Sequence, residues 1–479
     1  MIPLHAVPMR LKAPPIEISS KNPFEHDLLN RAESANVLKQ FVENLTEPFV
    51  LAIDSPWGTG KTTFLKMWVE VLRASGFRCL YFSAWENDFS ESPLVSLIGE
   101  IGSSLDHAGD KGSQTQFTEN FQKVKHFGAA LVKTATPSLI KIATAGVLDL
   151  KGFGEELGKL AEDIAKKKIE KYEADKNTIH EFRKSLAGLV AKSAESQQSI
   201  PSKPVVFIID ELDRCRPDYA IELLEKVKHL FNVDGLVFVL AIDKEQLGHS
   251  VQSLYGAGLN SDGYLRRFID LEYSLPKPKA QLFVQAQFER FGLNTLFSRR
   301  TGDTRSDRPT LEEAVAGLFS LFDFPLRTQE QCFTQIAIVV RTTPHNFYLH
   351  GTQLGTLICL RARNRDLYFR YAEGHAEPKE VLDYLRSFPG GDKFMNSDLG
   401  ALIEMYLVAG IRDSEARNRA MLLYQEQAKS QSLDGALRER FRMVAERFRW
   451  LPSTTQDLTG YLFKRIEFTH HFIKLDEGV

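Results

Sequence analysis

Hydrophobic residues along this chain follow two patterns, and the change between them falls near residue 280. Before that point four short runs, Phe49 to Ile53, Phe77 to Phe82, Val205 to Ile209 and Leu236 to Ile242, are dense in apolar residues and bounded by polar or turn-forming ones. Such runs are too short for helices and read as buried strands. Between them apolar residues return at helical spacing. Leu29, Ala32, Val37, Phe41 and Leu45 predict a helix over 28–45, and the stretches 64–72, 94–105 and 221–231 predict three more. Strand alternating with helix predicts an α/β fold: a parallel sheet flanked by helices, with ligand-facing groups at its carboxyl edge. Residues 264–270 read as a short helix and 271–278 as an extended exit. Beyond 280 only the helical period remains, over 280–298, 311–360 and 380–479, with a polar loop at 298–309.

One stretch interrupts the alternation. Residues 106–195 exceed what a strand–helix connection needs and read as a helical insertion. It opens with a polar linker over 106–120 and continues into the most apolar part of the chain, 128–150, where Lys133, Pro137, Lys141 and Asp149 break the run. A membrane-spanning helix needs ~20 mostly apolar residues, and a central lysine costs ~2.5–3.5 kcal/mol. The segment therefore predicts packing or peripheral membrane contact, and no transmembrane span. Leu157, Leu160, Ile164, Ile169, Tyr172, Ile179, Phe182 and Leu186 then mark an amphipathic helix over 155–194. The resulting division is a leader (1–21), a core in two parts (22–105 and 196–280) around the insertion, a helical lid region (281–380) and a helical C-terminal region (381–479).

Charge and cysteine content narrow the reading without redirecting it. The 479 residues carry 60 basic and 62 acidic side chains, a formal net charge of −2. No global field favours nucleic acid, so any such surface is local. Arg361, Arg363, Arg365 and Arg370 among Tyr368, Phe369 and Tyr371 form one local basic–aromatic cluster, and Arg438, Arg440, Arg442, Arg447 and Arg449 another. Interleaved glutamates make solvated helix faces the better reading of both. Cys79, Cys215, Cys332 and Cys359 are scattered, with no metal-site spacing, which points to a reducing compartment. With no apolar signal segment at the N-terminus, a cytoplasmic protein is expected.

The chemistry concentrates where strands end. The run at 49–53 leads into Asp54-Ser-Pro-Trp-Gly-Thr-Gly-Lys-Thr-Thr63 and then a helix. Gly-Lys-Thr between a strand and a helix is the phosphate-binding loop, or Walker A. Backbone N–H groups from Trp57, Gly58, Thr59, Gly60, Lys61, Thr62 and Thr63 and the positive end of the helix would cradle phosphate oxygens. Lys61 would reach the terminal phosphates and Thr62 would ligate Mg²⁺. Ser55 stands where a glycine usually opens the pattern, which is tolerable if the backbone there is not left-handed. The run at 205–209 ends in Asp210-Glu-Leu-Asp213, a Walker B ending. Asp210 is the expected metal acid, and Glu211 and Asp213 are both candidates for the general base. Asp243 ends the next strand, either near the γ-phosphate or as a helix cap. Trp85, Glu86 and Asp88 follow the strand at 77–82 as candidate site-lining residues, with Trp85 as readily a cap on the core. Arg266 and Arg267 suit a trans-acting arginine finger, and Arg327, opening a helix, a γ-phosphate contact. No guanine-reading Asn-Lys-x-Asp occurs, which leaves ATP as the expected nucleotide.

Several of these strings together resemble the KAP family of P-loop NTPases: Trp57-Gly-Thr-Gly-Lys-Thr-Thr63, Phe82-Ser-Ala-Trp85, Asp210-Glu-Leu-Asp-Arg-Cys215 with Pro217, Asp243, and Tyr264-Leu-Arg-Arg-Phe268 leading to Leu275-Pro276. The resemblance runs from about residue 22 to about 380. It implies a P-loop NTPase in which ATP and Mg²⁺ are cofactors. It also implies partners, either further copies of the chain or a protein from the same operon, and a role in excluding phage or other mobile elements. Family members usually have a second aspartate where Glu211 stands, and often carry transmembrane helices where 106–195 lie. Three readings follow: an ATPase driving a conformational or assembly cycle, a slow nucleotide-dependent switch that recruits partner proteins, and a nucleic-acid-stimulated ATPase.

Overall fold

A five-stranded, wholly parallel sheet organises the first part of the chain. Its strands are β1 (Phe49–Asp54), β2 (Arg78–Ser83), β3 (Val205–Asp210), β4 (Leu236–Ile242) and β5 (Leu271–Ser274), in spatial order β2-β3-β4-β1-β5. The computed structural model describes residues 16–105, 114–134, 170, 173–191, 203–277, 279–300, 306–451 and 457–467. It divides into two compact units, Glu17–Pro276 and the residues from Lys277 onward.

Every residue of β3 and β4 is buried, as the unbroken apolar runs require of strands covered on both faces. Side-chain alternation deals them to two cores. Leu51, Ile53, Val206, Ile208, Val237 and Val239 face one way, onto α1 (Ala32–Glu43) and α2 (Lys61–Ala74). Val50, Ala52, Phe207, Ile209, Phe238 and Leu240 face the other. There they meet α3 (Pro93–Leu105), α4 (Gln114–Thr134), α5 (173–191), α6 (Pro217–Leu230) and α7 (Lys244–Tyr255). The short α8 (Ser261–Leu265) precedes β5. The extended exit at 271–278 is thus a strand in its first half, paired with β1 from Leu51–Leu271 to Asp54–Ser274.

Two details differ from the sequence reading. The first helix begins at Ala32, four residues late, because Asp27 accepts N–H bonds from Leu29 (3.0 Å), Arg31 and Ala32 (3.2 Å) and holds Asn30 at φ 54°. Its buried Ala35, Leu38 and Val42 pack beside Phe64 and Trp68 of α2, so it is a packing helix. The described helices of the 106–195 insertion have no core of their own. Val124, Phe182, Leu186 and Leu189 belong to the sheet's core, the Phe182 and Phe231 rings meet edge to face at 5.6 Å, and Arg183 donates to the carbonyl of His229. The sheet's broad apolar face is the burial that their apolar stripes require.

The second unit is helical throughout its described residues. One core runs from Val284 to Ile466, across residue 380 where the sequence reading placed a boundary. Phe333 is its aromatic centre, 5.5 Å from Phe288, 6.0 Å from Phe291 and 6.2 Å from Phe319. The helical stretch 311–360 breaks at Asp323 and His350, both at φ 49°. A smaller core joins Ala401, Met405 and Val408 to Val444 and Phe448. Among the described residues no helix is long and apolar enough to cross a membrane. The leader up to residue 15, residues 135–150 of the 128–150 stretch on which peripheral membrane contact was expected, most of 155–172, and the end of the tail lie outside the described residues.

Candidate functional site

The loop from Ser55 to Gly60 joins β1 to α2 at the carboxyl edge of the sheet. Gly58 (φ 75°) and Gly60 (φ 84°) are left-handed, a conformation that costs other residues roughly 1–2 kcal/mol. Ser55 is not left-handed, which is why a side chain is tolerated there. Its N–H donates to the carbonyl of Ile242 (3.1 Å) and its hydroxyl pairs with that of Thr59 at 2.7 Å. No side chain caps the start of α2, and its first turn contains no acidic residue. The N–H groups of Lys61, Thr62 and Thr63 therefore point out of the helix end without an intrahelical acceptor. That is an anion cradle.

Acidic strand ends surround it. Burial pulls the Lys61 ammonium below its usual pKa, opposed by the charges of Asp213, Asp243, Asp210 and Asp54. Its Nζ bonds the carbonyl of Ser55 and, at 3.4 Å, that of Pro56. Asp210, 1% exposed, accepts from the Tyr81 phenol (2.6 Å) and from the N–H of Glu211 (2.9 Å). Asp243 does both things open to it. It caps α7 by accepting from Gln246 N–H (3.3 Å) and holds the loop by accepting from Trp57 N–H (3.0 Å). Asp54 accepts from the N–H of Lys244 at 2.9 Å. The strand order makes this possible, since β4 lies between β1 and β3 and brings Asp243 against the loop.

The two candidate bases face different ways. Glu211 is left-handed (φ 62°), and its carboxylate takes the Arg214 guanidinium and the Ser83 hydroxyl (3.3 Å), on the β2 side. Asp213 faces the loop, where its Oδ2 accepts from the indole N–H of Trp57. Burial raises its carboxyl pKa, opposed by the Trp57 bond and by Lys61. Its Oδ1 is buried without a partner.

Other singled-out residues have other occupations. Asp88 clamps Arg216, accepting from its backbone N–H and from Nε, both at 2.9 Å. Trp85 is 54% exposed under the Arg214 guanidinium, so it is no cap on the core, and Glu86 is exposed. Arg266 pairs with Asp262 (2.8 Å) and Arg267 lies over Tyr264; among the described residues neither bonds the loop. Arg327 is exposed at the start of the second unit's helix Leu326–Thr342. In the basic–aromatic clusters Arg361 pairs with Glu467, Arg370 with Asp366 and Glu380, Arg440 with Glu404, Arg442 with Glu439 and Glu446, and Arg447 with Asp398. Sequence reasoning missed Tyr81, Ser83 and Arg214. The signal was there in part: Tyr81 and Ser83 alternate on β2, and Ser83 is in register with Asp210.

One lysine among four carboxylates cannot by itself accept a polyphosphate, because the ligand's charge adds to that of the carboxylates. A divalent cation arriving with the phosphates resolves this. Thr62, in the uncapped turn, and Asp210 are the residues that would hold it. Two protein oxygens are a donor set that fits Mg²⁺, an ion commonly held by one or two carboxylate or hydroxyl oxygens together with phosphate and water.

Residues 30–308 match the KAP family P-loop domain, well over half of the chain. The chain belongs to the KAP family. This KAP-family chain is similar to the phage T7 exclusion protein of Escherichia coli (strain K12), at 22% identity over 246 residues, 48% of this chain and 30% of that protein. It therefore spans less than a third of that relative's length. Two structures of the Aeropyrum pernix ORC2 protein align at 11% identity. The ADPNP–ADP complexes do so with a TM-score of 0.33, covering 96% of this chain and 98% of that one, and the ADP form with 0.30, covering 92% and 94%. Likenesses this loose carry nothing over to the KAP chain.

Proposed function

We propose that this protein binds ATP together with Mg²⁺ and hydrolyses it, and that the cycle drives a conformational or assembly change. The observation that supports this best is the convergence of Lys61, Asp54, Asp210, Asp213 and Asp243 around the uncapped start of α2. Residues 57–63 bind the phosphates, and Lys61 exchanges the carbonyls of Ser55 and Pro56 for phosphate oxygens. Thr62 and Asp210 would hold Mg²⁺, which when bound would neutralise charge at the phosphates. Glu211 takes the proton of the attacking water once Arg214 releases it. Its left-handed backbone supports that role, since strained residues cluster at functional sites. Arg266 or Arg267 of another copy supplies positive charge to the transition state. The lack of a guanine-reading motif favours ATP. The name of the phage T7 exclusion protein extends the proposal to defence against phage or other mobile elements, and four free cysteines accord with the cytoplasm.

A second reading has its own support. Lys61 bonds its own loop and Glu211 an arginine, an arrangement suited to slow turnover and to a nucleotide-dependent switch that recruits partners. Phosphate release separates the two. The enzyme reading expects Glu211→Gln to bind ATP like the wild type while turnover drops at least ~100-fold. Wild-type release no faster than that of Lys61→Ala, with and without nucleic acid, leaves only the switch. Normal hydrolysis by Glu211→Gln places the base elsewhere.

A further inference from the structure

Trp57 carries a contact that hydrolysis does not call for. Its ring is 45% exposed, so burial does not hold it, yet both of its N–H groups are engaged. The backbone N–H donates to Asp243, at the end of β4, and the indole N–H to Asp213, in the turn leaving β3. One loop residue is thereby tied to the exits of two strands, one of them 156 residues away in sequence.

Asp213 is a poor general base in this setting. A base needs an oxygen open to the water it deprotonates. Here one oxygen is occupied by the indole and the other is buried, in a residue 6% exposed. Lys61 acts on it by charge while bonding elsewhere.

We propose that Asp213 is a positioning residue: through the indole N–H of Trp57 it holds the phosphate-binding loop in register with the acid-bearing end of β3. The inference rests on the nucleotide-site reading above. It assigns to the tryptophan before Gly58 a mechanical role that a phenyl ring cannot fill, and to the third acid of Asp210-Glu-Leu-Asp213 a role that an amide can.

The test uses the full chain and three substitutions. Trp57→Phe keeps a ring and removes the donor, Asp213→Ala removes the acceptor, and Asp213→Asn keeps an acceptor oxygen. Losing one hydrogen bond to a charged group is expected to weaken MgATP binding about tenfold in Trp57→Phe and in Asp213→Ala, with KM rising more than kcat falls. The double variant should be no weaker than either single one, and Asp213→Asn should recover most of the affinity lost in Asp213→Ala. Additive losses in the double variant overturn the proposal. So does an Asp213→Asn protein that binds normally but turns over no faster than Asp213→Ala, the mark of a base. A readout without nucleotide keeps the two readings apart. In ¹⁵N-tryptophan-labelled protein, the indole resonance deleted by Trp57→Phe should shift in Asp213→Ala. An unmoved resonance refutes the tie, whereas wild-type protein that fails to bind MgATP while the shift occurs refutes only the nucleotide reading.

Discussion

Both units of this chain bury charge, in opposite manners. In the helical unit each buried charge meets one opposite charge, although nitrogens of Arg300 and Arg440 remain buried without a partner. Arg440 (8% exposed) meets Glu404 (6%), whose other oxygen accepts from Tyr424 at 2.7 Å, and Arg300 lies 3.7 Å from Asp307. In the sheet unit four aspartates act on a single lysine. A one-to-one pair cancels its own net charge and needs no ligand to neutralise it. An unbalanced cluster at a sheet's carboxyl edge is stable only with something to answer it, and that imbalance marks the site more reliably than burial does.

The largest test breaks a buried pair. Glu404→Ala strands a buried guanidinium and the Tyr424 hydroxyl, and is expected to cost about 3–5 kcal/mol of stability in urea unfolding. The apolar triple replacement Glu404→Leu, Arg440→Met, Tyr424→Phe should cost far less, because no uncompensated charge remains. A cost below about 1 kcal/mol for Glu404→Ala would show that the pair is not sealed from water.

A smaller effect comes from introducing charge where no partner waits. Burial alone pulls His350 from its usual 6.5 to about 4. The folded state then binds the proton less readily than the unfolded chain. Stability is full above about pH 6.5 and is lost as pH falls towards 4. Between pH 7 and pH 4.5 this one ring should account for about 2–3 kcal/mol. His350→Asn, which tolerates the left-handed backbone, should lose that much less over the interval by urea titration; an unchanged loss assigns the acid sensitivity to other groups.

The smallest test makes one substitution in both regions. Asp413 caps the helix Ser414–Gln427 and Asp243 caps α7, each by accepting a backbone N–H. Alanine at either should cost about 1 kcal/mol in thermal stability. Only Asp243→Ala should also weaken MgATP binding, since only Asp243 holds Trp57. Equal binding by the two variants would remove the distinction between the regions at this position.

Much of the sheet was legible in advance because strands buried on both faces must be unbroken apolar runs, and β1, β3 and β4 are. The loop was legible because glycines at 58 and 60 answer a backbone requirement. Less could be read of the acids. That Asp243 both caps and clamps depends on β4 lying beside β1, a pairing no spacing encodes. Trp57 and Asp213 meet across 156 positions. Glu211 and Asp213 looked alike in sequence, and only the left-handed turn at Glu211 sends one carboxylate towards β2 and the other towards the loop. Of the insertion's described helices only the one over 173–191 was legible by period; α4 starts at Gln114, inside the stretch read as a polar linker, and an amphipathic stripe states that a face must be buried and not against what.

The sequence by itself determined the alternation of strands and helices, the phosphate loop and the set of acids at strand ends, because these follow from local backbone geometry and side-chain period. The order β2-β3-β4-β1-β5, the ties of Asp243 and Asp213 to Trp57, and the gathering of four carboxylates on Lys61 were decided only by tertiary structure. They depend on which strands lie side by side, and long-range pairing is set by the burial of whole faces rather than by any local signal.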